Sequence, residues 1–317
     1  MGDPTPDTIS GYIQQSGLPD ERSFREILGD EMTHVYGGEY RHPEGRSPFN
    51  PMNLPDNMGT VPYVAPGVFA ECVDVDEIEA FAWPQHDYLD FSDNIERLHQ
   101  SGDVYRAGGV WSPFFHMVSD LFGMEELFIK MHTDPEVVDA AIRRTCDYYL
   151  AANARFFAEA GDLLDGYFFG NDFGTQRDLL ISPAQFDRFF LPWYKKFADQ
   201  AHACGYQVLY HSCGAVHKLI DRFIDAGIDV LNPLQALASD MDAETIARDF
   251  KGRIAFLGGI DVQQLLIHGT EDDIIAEVHR VMELLGPHLV VSPSHPNLQP
   301  DVPFNNIRMM AEAVGCR

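Results

Sequence analysis

The sequence predicts an α/β protein, a TIM-type (β/α)8 barrel preceded by an irregular amino-terminal segment. From about residue 148 onward, short apolar runs of strand length alternate with stretches of helical periodicity, the pattern of parallel strands joined by crossover helices. Five of these runs, over 166–172, 207–213, 229–235, 253–261 and 288–295, end on a polar or ligand-capable residue. Polar groups at the carboxyl ends of successive parallel strands are how a β/α barrel assembles an active site.

Taken in order, helical periodicity over 151–160 leads into the strand that stops at Asp172. Ser182 followed by Pro183 starts a helix in the cap-then-proline manner, and Gly205 ends it before the run 207–213. The helix over 216–226 stops at Gly227, and 242–250 is helical up to Gly252. Thr270 with three following acidic residues opens a helix to 285, broken by Gly286 and Pro287. A last helix covers 305–313. Upstream, helical patterns lie around 76–80, 94–100, 116–131 and 135–150, with a strand over 103–110. Residues 1–70 are rich in glycine and proline and show one short helix near 21–28, so they read as an irregular arm or cap, with the barrel over 71–317.

At 317 residues, 45% of them hydrophobic, the chain accommodates one barrel with an extension. The net charge of −27, with scattered Lys and Arg, argues against nucleic acid, which demands a basic patch. No run of about 18 uncharged apolar residues is present, and the first residues lack the basic and apolar regions of a signal peptide, so a cytoplasmic protein without a membrane span is expected. The five cysteines, at 72, 146, 204, 213 and 316, are too few and too unevenly spaced for a disulfide framework.

Only Cys213 has a ligand-type neighbour at metal spacing. In an extended segment residues i and i+2 point to the same side, so the His211 imidazole and the Cys213 thiol can bind one ion. Read without a metal, the pair is a hydrogen-bonded histidine beside a small buried cysteine. Asp172 is either a substrate-orienting or proton-carrying group or a capping residue. Asp261 has the same two readings after the turn at Gly258 and Gly259. Asn232 and Gln235 present amides to a ligand or pack within the mouth. The cluster Trp111, Phe114, Phe115 and His116 either lines a pocket for a planar molecule or belongs to the core.

Several segments together resemble the uroporphyrinogen decarboxylase superfamily, in its branch of zinc- and corrinoid-linked methyltransferases of the methylcobamide methyltransferase type. They are 170–176, 181–183, 211–214, 226–235, 258–263 and 292–306, carrying Asn171, Asp172, Gln176, His211, Cys213, Asn232, Gln235, Asp261 and His295. The resemblance runs from about 70 to 317. It implies a zinc ion held by the His211–Cys213 pair and a third ligand after the last strand. That position reads His295 here, where the zinc enzymes have cysteine, and the metal-free decarboxylases carry a histidine nearby. Gln235, Asp172, water or substrate could supply the fourth position. Asp172 and Asp261 become the candidate catalytic residues, and Asn171, Gln176, Asn232 and Gln235 the candidate substrate-binding ones.

The implied reaction moves a methyl group between a small methyl ether, methylamine or thiol and a corrinoid. The chain has no Asp-x-His-x-x-Gly pattern, so the corrinoid is expected on a separate carrier protein. A homodimer is a further expectation from the resemblance. The alternatives are a metal-free decarboxylase-like lyase and a non-catalytic ligand-binding barrel. The decarboxylases' arginine-rich amino-terminal signature has no match in residues 1–60, nor does the superfamily's usual first strand.

Overall fold

A computed structural model of the chain describes residues 3–49, 67–295 and 297–315. Its centre is a sheet of seven parallel strands: β1 Met32–Tyr36, β2 Tyr105–Gly109, β3 Gly166–Gly170, β4 Gln207–His211, β5 Val230–Leu234, β6 Ala255–Ile260 and β7 Leu289–Pro293. Strands that follow one another in this order pair with each other. Side chains alternate across the strands with period two. Ala107, Phe168 and Leu209 turn inward and pack with Met32, Tyr36, Tyr105, Trp111 and Val230. Their neighbours Val35, Tyr167, Phe169, Val208, Tyr210 and Leu231 join the larger core beneath the helices. Inner contacts that reach from β1 to β5 show that the sheet is curled. β1 and β7 are its edges, and among the described residues no eighth strand joins them. A cavity of about 640 Å³ lies there, lined by Met32, Leu209, Leu257, Val291, Ile307 and Met310 among others. It holds none of Asp172, His211, Cys213 or His295.

The helices start where the local chemistry dictates. Ser182 and Gln185 form a reciprocal capping box with Pro183 in the first turn, and Thr270 and Asp273 form another. The 26-residue helix Pro135–Ala160 begins at a proline and buries Val138, Ala141, Ile142, Thr145, Tyr149, Asn153 and Phe156, the spacing of one helical face. The single helical stretch expected over 116–131 is two helices, Phe114–Phe122 and Met124–Thr133, divided at Gly123.

The largest departure from expectation lies in residues 1–70. Helices Pro6–Ser16 and Glu21–Ile27 and strand β1 are all regular, and β1 pairs with β2 from Met32↔Tyr105 to Tyr36↔Gly109. The boundary expected at 70 therefore cuts into the sheet: the first barrel strand lies within the supposed arm, and residues 50–66 lie outside the described residues. The strand escaped notice because Met-Thr-His-Val-Tyr is short and two of its inward side chains, His34 and Tyr36, are not aliphatic.

The amino-terminal helices pack on the last helix, Phe304–Val314. The Tyr12, Phe24 and Phe304 rings lie 5.6–5.7 Å apart, centroid to centroid. The Tyr12 hydroxyl donates to the Val302 carbonyl at 2.7 Å, and Thr8 Oγ1 donates to Leu298 at 3.0 Å. No helix among the described residues is long and apolar enough to cross a membrane.

Candidate metal centre

The carboxyl ends of β3 and β4 bring three ligand-type side chains together: Asp172, His211 and Cys213, whose ligand atoms all lie within 4.8 Å of one another. His211 is the last residue of β4, and Cys213 follows two positions later on the same side, as the sequence spacing requires. His211 Nε2 lies 3.4 Å from Cys213 Sγ and 3.4 Å from Asp172 Oδ1. An ion bound at about 2.0–2.3 Å in tetrahedral geometry separates its donor atoms by about 3.3–3.7 Å. Both distances fit, and a nitrogen, sulfur and oxygen donor set suits zinc.

The loops that present these groups are braced by hydrogen bonds. The Cys213 amide donates to Asp172 Oδ1 at 2.8 Å, and the Gly214 amide to Gln235 Oε1 at 2.6 Å. Phe173 donates to the buried Ser212 hydroxyl, and the Ser212 amide to the Asn232 carbonyl at 2.8 Å. Gly214, at φ 86°, lies so close to Gly174 that an added Cβ would meet its carbonyl carbon at 2.4 Å; only glycine allows the β3 and β4 loops to touch here. Asn232 is the register partner of His211, and its amide oxygen lies 3.0 Å from His211 Nδ1. The ring therefore donates from Nδ1 and presents Nε2 to the cluster.

The electrostatics follow from this packing. Burial by itself would depress the His211 pKa, but hydrogen bonds to Asp172 and Cys213 outweigh it and hold the imidazole at about 10. Burial would raise Asp172, yet the His211 bond, the His211 charge and the Cys213 amide hold its carboxyl at about 2. The Cys213 thiol, which burial would push up, is lowered by hydrogen bonds from His211 and His295. Without metal the site is a carboxylate and a thiol of lowered pKa around an imidazolium. His116 stands beside it: the Asp172 amide donates to its Nε2 at 3.0 Å, and burial lowers its pKa.

His295, expected as the third metal ligand, is outside the set whose ligand atoms lie within 4.8 Å of one another, of which Asp172 is the third member. The His295 ring engages the Cys213 thiol, which raises its own pKa, while Nδ1 accepts from the Asn297 amide at 3.1 Å. The Asn297 amide thus holds the imidazole through Nδ1.

The remaining candidates divide. Asp261 accepts from the amides of Gln263, Gln264 and Leu265, so it caps the turn after β6, and it lines an open cleft of about 710 Å³ with Gln264, His268 and Arg280. Asn171 is buried and accepts from the Phe115 amide at 2.8 Å, holding the loop after β2. Gln176 is exposed on the rim, where its carbonyl accepts from Ser239. Asn232 and Gln235 are spent on His211 and Gly214, so they position the cluster's own residues.

An aromatic wall faces the cluster. The Trp111 ring stands 6.0 Å from the His211 ring, 5.4 Å from Phe168 and 5.7 Å from Tyr36. Trp111 and Tyr36 are half-buried, whereas Phe114 and Phe115 are fully buried in the outer core. The predicted aromatic cluster thus splits between mouth and core. The sequence reading missed Tyr36, though its position at the end of an alternating run before Gly37 and Gly38 carries the signal.

A family model described as uroporphyrinogen decarboxylase (URO-D) matches residues 51–316. Among solved structures, the chain is similar to a methyltransferase from Methanosarcina mazei, with a TM-score of 0.65 and 19% sequence identity over 96% of this chain and 90% of that one. At that identity the likeness is one of fold. No curated protein matches the sequence.

Proposed function

Since the chain belongs to the uroporphyrinogen decarboxylase family, we propose that it is an enzyme of the methyl-transferring kind, moving a methyl group between a small methylated compound and a corrinoid on a separate carrier protein. The observation that carries this reading is the pair of 3.4 Å separations that put Asp172, His211 and Cys213 at the spacing of zinc ligands. Zinc held there supplies Lewis acidity for the heteroatom that loses or gains the methyl group.

The chain's own residues do the rest. Asn232 keeps the Nδ1 proton on His211 so that Nε2 is the donor. Asp172 holds the Cys213 amide, and its carboxylate and the Cys213 thiolate offset the charge of the ion. His295, whose ring engages the Cys213 thiol, is the group that returns a proton to the heteroatom after the methyl leaves. Trp111, Tyr36 and Phe168 form the aromatic wall beside the cluster on which the methylated compound rests.

The test combines metal analysis with a transfer assay. Protein purified without added zinc should carry it, and a reduced corrinoid carrier mixed with the protein and a methyl donor should gain the methyl spectrum in wild type and not in Cys213→Ser. Consumption of a tetrapyrrole carboxylate by the metal-free protein, with no transfer from any methylated donor, would replace this reading by a decarboxylase-like lyase.

A further inference from the structure

The wall opposite the metal-type cluster has a chemistry of its own. Tyr36 ends β1, Trp111 follows β2, and Phe168 points inward from β3, so three adjacent strands supply one continuous aromatic surface. The Tyr36 and Trp111 rings meet at 46°, and Phe168 closes the base, 5.4 Å from Trp111 and 6.2 Å from Tyr36. Trp111 reaches this place because β3 has a glycine there. A Cβ on Gly170 would meet Trp111 Cη2 at 2.7 Å and the His211 Cβ at 2.6 Å. The missing side chain lets the indole lie against the base of His211, one ring away from the ligand atoms.

Resting on the methyl-transfer reading, we infer that the methyl donor is a neutral aryl methyl ether, its ring on the Tyr36–Trp111–Phe168 wall and its oxygen toward Asp172, His211 and Cys213. Half-buried aromatic faces inside a concave mouth gain most from a flat apolar partner, whose edge and face match their quadrupoles. A methylamine or methanol would leave this surface uncovered. A quaternary ammonium suits an aromatic wall but has no lone pair to give a Lewis acid.

The step balances: the methyl–oxygen bond breaks with its electron pair on oxygen, the methyl carbon takes the electron pair of the reduced, cob(I)alamin-type carrier, whose cobalt is oxidised by two electrons, and the phenolate takes a proton from water.

Titration calorimetry on the metal-loaded full chain separates this inference from the broader reading, because it reads binding and not transfer. Anisole and cyclohexyl methyl ether differ chiefly in flatness. Anisole should bind at least roughly tenfold more tightly. Trp111→Leu and Tyr36→Leu should each remove most of the anisole preference. Tyr36→Leu, on β1, covers the case in which loss of the indole disturbs folding. Equal affinity for the two ethers, no saturable anisole binding up to its solubility, or a preference that survives Tyr36→Leu would overturn the inference. Aromatic preference without methyl transfer leaves the wall in place and removes the transfer reading; transfer from aliphatic donors alone does the reverse.

Discussion

Asn232 and His211 are register partners on adjacent strands, and the amide oxygen of one fixes the tautomer of the other at 3.0 Å. Such outer hydrogen bonds orient a ligating imidazole and raise its basicity. Asn232→Leu should therefore weaken zinc binding by about 10–100-fold, read by competition with a chromophoric chelator. An unchanged affinity would mean that the ring is held by its packing alone.

Metal content discriminates between two ligand sets. His211→Ala, Cys213→Ser and Asp172→Asn should each reduce bound zinc from roughly one per chain to a small fraction, whereas His295→Ala should retain it. Loss on His295→Ala with retention on Asp172→Asn would restore the His211, Cys213 and His295 site expected from the sequence.

Proton linkage has a definite sign. His211 is raised to about 10 from 6.5, so its contribution to stability is full below pH 6.5 and disappears as pH climbs through 10. Asp172, lowered to about 2 from 3.8, contributes above pH 3.8 and loses its share as pH falls through 2. The thermal midpoint of metal-free wild type should fall between pH 7 and 10 more steeply than that of His211→Gln. Zinc must displace the Nε2 proton, so its affinity should rise with pH over the same range, with proton release visible in calorimetry across buffers of different ionisation enthalpy.

Asn153 ties down the loop that carries Trp111. Fully buried, it accepts from the Val110 amide at 2.8 Å and donates to Ser112 Oγ and the Tyr149 carbonyl. Asn153→Leu leaves the Val110 N–H unpaired at a cost of about 1–3 kcal/mol, and a fall in the urea midpoint at unchanged m-value measures it.

Two glycine-to-alanine changes should move stability in opposite directions. Gly170→Ala drives a methyl group into Trp111 and His211 and should destabilise by about 1–3 kcal/mol while weakening zinc. Gly11→Ala, in helix Pro6–Ser16 with no heavy atom within 4 Å of the new methyl, should stabilise by about 0.5–1 kcal/mol. Thermal melts of both variants check the pair.

From β3 onward the strands and helices were legible because their apolar runs are long and bounded by glycine, proline or a capping residue. The His211–Cys213 pair was legible because the period of an extended chain is local. The proximity of Asp172 to that pair was not, since it depends on how the loops after β3 and β4 approach each other. Asp261 shows the same limit: its two readings are equal in the sequence, and the three amides that it caps are seen only in the fold. β1 was lost because His34 and Tyr36, inward-facing beside the aromatic wall, break the aliphatic pattern by which buried strands are recognised.

The joining of the amino-terminal helices to the last helix bears on the order of folding. Tyr12 and Thr8 bond to carbonyls 290 residues downstream. At about 5–20 residues per second, the ribosome needs roughly 15–60 s to deliver those partners. Through that interval the Tyr12 and Phe24 rings lack the Phe304 ring that they pack against. These two helices are thus made well before they can be secured, which makes them a natural point for chaperone engagement during synthesis.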